Sequence, residues 1–142
     1  MPQPTTVNDC MYRQPLTIRP EANLVEAVEL IVQHRLTGLS VTDEAGQVQG
    51  VLSEIDCLRG ILASIYNDGD PEHALVSEVM TRAVNYCSAS DSIVEVAQAM
   101  LDTRQRRRPV VEDGRLVGQV SCRNILWALM EHSRRKLQEQ RK

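Results

Sequence analysis

Apolar residues recur along this chain in two alternating rhythms, and the alternation is the same in both halves. Leu24, Ala27, Val28 and Ile31 stand at intervals of three and four, as do Ile93, Val96, Ala97 and Met100. That spacing puts one apolar stripe on one face of a helix. Asn23 with Glu26 and Ser92 with Glu95 lead into these runs with the spacing of a capping box, so a helix is predicted to start at each. Residues 39–42 and 109–112 then read as strands. Each is followed by an acidic turn with glycine, Asp43-Glu44-Ala45-Gly46 and Glu112-Asp113-Gly114, and by a return strand over 48–53 or 116–121. Ser53-x-x-Asp56 and Ser121-x-x-Asn124 open second helices. Leu58, Ile61, Leu62 and Ile65 are predicted as the buried face of one, and Ile125, Leu126, Leu129 and Met130 as that of the other. Asn67-Asp68-Gly69-Asp70-Pro71 stops the first of these helices and makes a linker, whereas the last helix can run through Leu137 into a basic tail. Short extended pieces at 16–18 and 85–87 complete a β-α-β-β-α order in each half.

The halves are copies of one another. A shift of 69 places matches Val7 with Val76, Met11 with Met80, Arg13 with Arg82, Val25 with Val94, Glu26 with Glu95, Arg35 with Arg104 and Val41 with Val110. After one residue is lost in a turn, Gly46 meets Gly114, Gly50 meets Gly118, Ser53 meets Ser121 and Leu58 meets Leu126. Self-similarity at a fixed offset marks a duplicated unit. The expected repeats are residues 1–69 and 70–142. The expected fold is α/β of the α+β type, with two β-α-β-β-α units, each too small to close its own core, packed about a pseudo-twofold axis.

Composition narrows the function. The chain has 142 residues, 42% of them hydrophobic, and a net charge of −3, which suits a packed core without staples and speaks against a dedicated nucleic-acid binder. No apolar run approaches the roughly twenty residues of a membrane span, and Met-Pro-Gln-Pro-Thr-Thr has neither a basic nor an apolar signal region; cytosolic residence is expected. Cys10, Cys57, Cys87 and Cys122 are scattered, without metal-like or redox spacing, and read as reduced thiols. His34, His73 and His132 have no second ligand at metal spacing. No Ser-His-Asp or Cys-His order, P-loop or dinucleotide glycine motif is present, so the chain is read as a non-enzyme that needs no cofactor.

The chemistry that remains lies at two strand-to-helix junctions. In Gly50-x-x-Ser53-x-x-Asp56 the glycine permits close backbone approach, and the helix start offers free N–H groups suited to phosphate. Asp56, one turn in, can accept from two adjacent hydroxyls such as those of a ribose. The bland alternative is that Ser53 and Asp56 do nothing but cap a helix. Arg104-Gln105-Arg106-Arg107-Arg108 is the most concentrated charge in the chain. It reads either as a phosphate grip, since guanidinium forks match phosphate oxygens, or as a solvated helix end; Arg108 is expected to face solvent.

The runs from Gln33-His34-Arg35-Leu36-Thr37-Gly38 through Asp43-Glu44-Ala45-Gly46 to Gly50-Val51-Leu52-Ser53-Glu54-Ile55-Asp56, and from Arg106-Arg107-Arg108-Pro109-Val110-Val111 to Gly118-Gln119-Val120-Ser121-Cys122-Arg123-Asn124, resemble the cystathionine β-synthase (CBS) domain. That domain normally occurs as a tandem pair called a Bateman module, and the resemblance runs from about Val7 to Met130. It implies a free-standing regulatory module that senses an adenine nucleotide, AMP, ADP, ATP or S-adenosylmethionine, in the cleft between its repeats and signals occupancy to a client protein. In the family the aspartate at the position of Asp56 holds the ribose, and a frequent His-Arg pair at the positions of Arg106 and Arg107 reaches the phosphates. The implied ligand set is Thr37, Gly38, Ser53, Asp56, Arg106, Arg107, Ser121, Arg123 and Asn124. Asn124 departs from the pattern, because an amide loses the charge-assisted part of the bond. Arg123, where the family often has a small polar residue, can grip a phosphate or fill its space. Thr37 and Gly38 carry no charge where the second repeat has arginines, so phosphate binding is expected to be asymmetric. The family commonly forms flat homodimers, and Leu126, Leu129, Met130 and Leu137 can extend a stripe onto a second copy. The rival reading is a dimeric interaction protein with vestigial clefts, whose basic tail, Arg134-Arg135-Lys136 to Lys142, contacts nucleic acid or an acidic protein.

Overall fold

The computed structural model describes residues 5–67 and 69–140. The N-terminal residues Met1 to Pro4, the predicted linker residue Asp68 and the tail residues Arg141 and Lys142 lie outside the described residues. Mixed α/β structure is present throughout, in two compact units: residues 16–84, and residues 5–15 together with 85–140.

In the first unit β1 (Thr17–Ile18) runs parallel to β2 (Gly38–Thr42), which pairs antiparallel with β3 (Val48–Ser53) in the order β1-β2-β3. Between β1 and β2 lies α1 (Leu24–Gln33); α2 (Glu54–Tyr66) follows β3, and the short α3 (Val76–Val79) ends the unit. Asn23 caps α1, accepting from the Val25 N–H at 2.7 Å. This is half of the predicted capping box, since no return bond from Glu26 is found among the described residues. The β2-β3 turn closes on Asp43, whose Oδ1 accepts from Ala45 and Gln47 at 2.9 Å each. Gly46 supplies the left-handed residue at φ +82°. Leu24, Ala27 and Ile31 meet Leu39, Val41, Leu52, Cys57 and Val76 in the core. Each of the larger side chains is worth roughly 1.5–3 kcal/mol of burial.

The second unit repeats the plan with α4 (Ile93–Thr103), β4 (Arg107–Glu112), β5 (Arg115–Ser121) and α5 (Cys122–Gln140). Asp113 and Gly114, at φ 52° and 81°, make its two-residue hairpin turn. Ser92 caps α4 through the Val94 N–H, again without its glutamate. The predicted first strand of this repeat is reduced to one parallel bridge, Cys87 with Val110.

The sequence halves and the compact units are offset by their lead-in segments. Val7 and Val76 are both fully buried, Val7 in the core built by residues 87–128 and Val76 in the core built by residues 18–80. Backbone bonds tie each lead-in down: Val7 N–H to the Asp91 carbonyl at 2.9 Å, and Leu24 N–H to the Ala74 carbonyl at 2.8 Å. A segment of this length cannot bury a valine by itself, so each lies on the unit whose core receives it.

Both second helices turn a different face inward from the one expected. On α2, Leu58, Leu62 and Ile65 are exposed and Ile61 is only half-buried, while Asp56 and Cys57 point in. On α5, Ile125 is buried as expected, but Ala128 is its inward companion, Leu129 is half-buried, and Leu126 and Met130 are exposed. Among the described residues no helix is long and apolar enough to cross a membrane.

Candidate functional site

Register builds the first junction. Pairing of β2 with β3 sets Gly38 opposite Ser53, and the Thr37 carbonyl accepts the N–H of Glu54, the first residue of α2, at 3.1 Å. Ser53, extended at φ −91° and ψ 167°, caps α2. Its Oγ accepts the Asp56 N–H at 3.0 Å, and Asp56 Oδ2 accepts the Ser53 N–H at 3.0 Å. The capping box is therefore complete, and Asp56 is part of it.

Capping does not exhaust the carboxylate. Asp56 is only 5% exposed, and a carboxylate that deeply placed needs partners. The Thr81 hydroxyl stands 3.3 Å from Oδ2 and 3.4 Å from Oδ1. Arg59 Nη1 lies 3.5 Å from Oδ1 on a largely exposed side chain, a contact worth little. Among the described residues the contacts of Oδ1 are long, at 3.4 and 3.5 Å, and it keeps the capacity to accept hydroxyl donors.

Gly50 does permit a close backbone approach, but the backbone that takes the room is the chain's own. A Cβ there would lie 2.6 Å from the Thr81 carbonyl oxygen and 3.0 Å from Met80 Sδ. Val51 and Thr81 exchange both backbone bonds at 2.9 Å, so this edge of β3 carries Thr81 to Asp56. The sequence reading did not name Thr81. Tyr12 stands at its position in the other repeat, one of many unmatched pairs at the 69-residue offset, so nothing in the repeat pattern singles Thr81 out.

The second junction has the same frame and different chemistry. Arg107 stands opposite Ser121, and the Arg106 carbonyl accepts the Cys122 N–H at 2.9 Å. Asn124 Oδ1 accepts both the N–H and the hydroxyl of Ser121, each at 3.0 Å. The amide oxygen is consumed by its own cap, and what Asn124 has left to offer is its N–H donors. Arg106 and Arg123 are exposed and Arg107 is half-buried, where the first unit has Thr37, Ile55 and Gly38. One junction keeps an acceptor and the other gathers donors. Of the predicted set, Thr37, Gly38, Ser53 and Asp56 come together in the first unit, and Arg106, Arg107, Ser121, Arg123 and Asn124 in the second.

Arg108 is a correction. It is 7% exposed and stands at the position of core Leu39. Its Nε donates to Gln105 Oε1 at 2.8 Å, and its Nη2 donates to Thr103 Oγ1 at 3.2 Å and the Ala99 carbonyl at 3.4 Å. The cation satisfies the C-terminal turn of α4, where the helix dipole favours positive charge. The four cysteines are free; Cys57 and Cys87 are buried, Cys10 is half-buried and Cys122 is exposed. Among the described residues no group of three or more His, Cys, Asp or Glu could hold a metal ion.

The CBS domain family model matches residues 7–63 and 76–131. The chain belongs to the CBS domain family. The CBS domain-containing protein CBSX1, chloroplastic, of Arabidopsis thaliana is 29% identical over 82% of this chain and 60% of its own length. The CBS-pair crystal structure of CBSX2 in complex with AMP has a TM-score of 0.79 at 28% identity, covering 90% of this chain and 98% of that one. The CBS domain pair of protein MJ0100, in complex with 5′-methylthioadenosine and S-adenosyl-L-methionine, has a TM-score of 0.74 at 25% identity, covering 88% and 99%. The chain spans 60%, 41% and 35% of the length of three curated relatives it matches. The α/β fold and the tandem CBS repeats read from the sequence are both present here.

Proposed function

We propose that this CBS pair is a regulatory module, without catalytic residues, that takes an adenine nucleotide and reports occupancy to a client protein in the cytoplasm. The observation that carries this reading is Asp56, buried and oriented by Ser53, with its Oδ1 in long contacts among the described residues. Its acceptor capacity suits the two hydroxyls of a ribose. The donors of the second junction, Arg106, Arg107, Arg123 and Asn124 beside Ser121, suit phosphate oxygens; Thr37 and Gly38 frame the first junction, which has no arginine at their positions. The AMP bound by CBSX2 and the adenosyl compounds bound by the MJ0100 pair support the ligand class. A homodimer is part of the proposal. Ile55, Leu58, Leu62 and Ile65 make an exposed apolar stripe along α2, and Leu126, Met130 and Leu137 make another along α5, which suits cover by a second copy.

Titration calorimetry of the protein, stripped of carried-over ligand, against AMP, ADP, ATP and S-adenosylmethionine tests the reading. Binding of at least one is expected, with a loss of roughly a hundredfold in Asp56→Ala, since two hydroxyls lose a charged acceptor. Asp56→Asn keeps the cap, as Asn124 keeps its own, so its weaker binding reports the charge and not the fold. No heat with any of the four at protein well above micromolar refutes the reading. The rival, an interaction protein acting through its basic helix, draws on the occupied amide oxygen of Asn124 and the exposed last turns of α5. Strong nucleic-acid binding with a steep salt dependence in a gel-shift series favours it.

A further inference from the structure

Thr81 stands in an unusual relation to Asp56. Its backbone is locked to β3, donating to the Val51 carbonyl and accepting from the Val51 N–H at 2.9 Å each. Its side chain can therefore leave the carboxylate only by rotating about its own Cα–Cβ bond. The residue is exposed, so a rotated hydroxyl meets water at little cost. At 3.3 and 3.4 Å it straddles both carboxylate oxygens loosely, whereas the Ser53 N–H at 3.0 Å is fixed by the cap. Among the described residues Thr81 is the side-chain donor that reaches Asp56 from outside α2 and its cap. The matching pair in the second unit is Tyr12 and Asn124, and there the amide oxygen is filled by Ser121. Threonine accompanies the carboxylate, and both are replaced together.

We propose that Thr81 is a placeholder donor: in the unliganded chain its hydroxyl covers the edge of Asp56 that a ligand diol takes, and binding displaces it. The proposal rests on the nucleotide reading above and adds how that site sets its affinity. A ligand must replace the Thr81 bond before it gains anything, so the threonine lowers affinity and ties occupancy to the segment leading out of α3. In Thr81→Val, which has nearly the same shape, the carboxylate loses the hydrogen bond that a ligand would otherwise have to replace, and the replacement cost disappears.

Titration calorimetry of the full chain with the same four ligands, on the parent, Thr81→Val, Thr81→Ser and Asp56→Asn, tests this. Thr81→Val is expected to bind the ligand preferred by the parent about three- to tenfold more tightly, the range set by one long hydrogen bond to a charged group. Thr81→Ser, which keeps the hydroxyl, is expected to bind like the parent. The unliganded Thr81→Val chain is expected to unfold at lower temperature and to recover more than the parent on adding ligand. A folded Thr81→Val chain whose affinity is unchanged or weaker, while the parent binds and Asp56→Asn is impaired, overturns the placeholder and leaves the nucleotide reading standing. If the parent binds none of the four, both fall.

Discussion

Substituting Gly50 by alanine tests how the first junction is assembled. The added Cβ would lie 2.6 Å from the Thr81 carbonyl oxygen, and that oxygen cannot swing aside because it already accepts the Val51 N–H at 2.9 Å. Reaching ordinary contact at 3.4 Å requires the 80–81 segment to retreat by about 0.8 Å. A retreat of that size stretches both Val51–Thr81 bonds beyond useful length, at about 0.5–1.5 kcal/mol each, on top of about 1–3 kcal/mol for overpacking. Gly50→Ala should therefore cost about 2–6 kcal/mol, or roughly 6–22 °C in the unfolding midpoint for a chain of this length. Gly118→Ala is the internal control. Its Cβ would meet Met11 Sδ at 2.8 Å, the far end of a flexible side chain, and the Tyr12 carbonyl only at 3.0 Å, so it should cost about half as much. Thermal unfolding followed by circular dichroism, with urea midpoints beside it, reads both. A Gly50→Ala midpoint within about 2 °C of the parent, or a larger loss in Gly118→Ala, refutes the close-approach argument.

Three further outcomes follow from the local environment of single residues. Arg35 and Arg104 end α1 and α4 in the left-handed region, both at φ 53°, a conformation glycine adopts without a Cβ penalty; Arg104→Gly should raise the unfolding free energy by about 0.5–1 kcal/mol, and a fall in the midpoint counts against this. Burial pushes the Cys57 thiol up to about 11 and the Cys87 thiol up to about 12, from 9.0, so at pH 8 a thiol reagent should label Cys122 first and these two only on unfolding. Because both values are raised, the stability the buried thiols contribute is full below pH 9.0 and is lost as pH climbs from there towards 11–12, which urea midpoints taken across the alkaline range will show.

The junctions were legible because their signals are local. A side-chain oxygen three residues from the N–H it caps needs no distant partner, and Ser53 with Asp56 and Ser121 with Asn124 form as their spacing says. The bland and functional readings of Asp56 are not exclusive: one contact of the carboxylate, from the Ser53 N–H, caps the helix, and the remaining ones are long enough to be exchanged. Thr81, 25 residues away, was invisible to any argument from spacing. So was the burial of Arg108, since a run of arginines carries no mark of which one replaces a core leucine.

What the sequence by itself determined is therefore the duplication, the order of helices and hairpins, and the identity of the capping residues, each written in interactions that close within a few positions. Only tertiary structure decided which face of each second helix turns inward. The apolar residues of α2 surround it, and hydropathy favours the large ones, but a Cβ on Gly60 would already meet Leu24 and Val79 at 2.9 Å. The helix lies so close to its core that small side chains, Cys57 and Gly60 here and Ala128 in α5, take the inner face, and Leu58, Leu62 and Leu126 are turned outward. Space between packed elements is a property of their distance, and no residue along the chain records it.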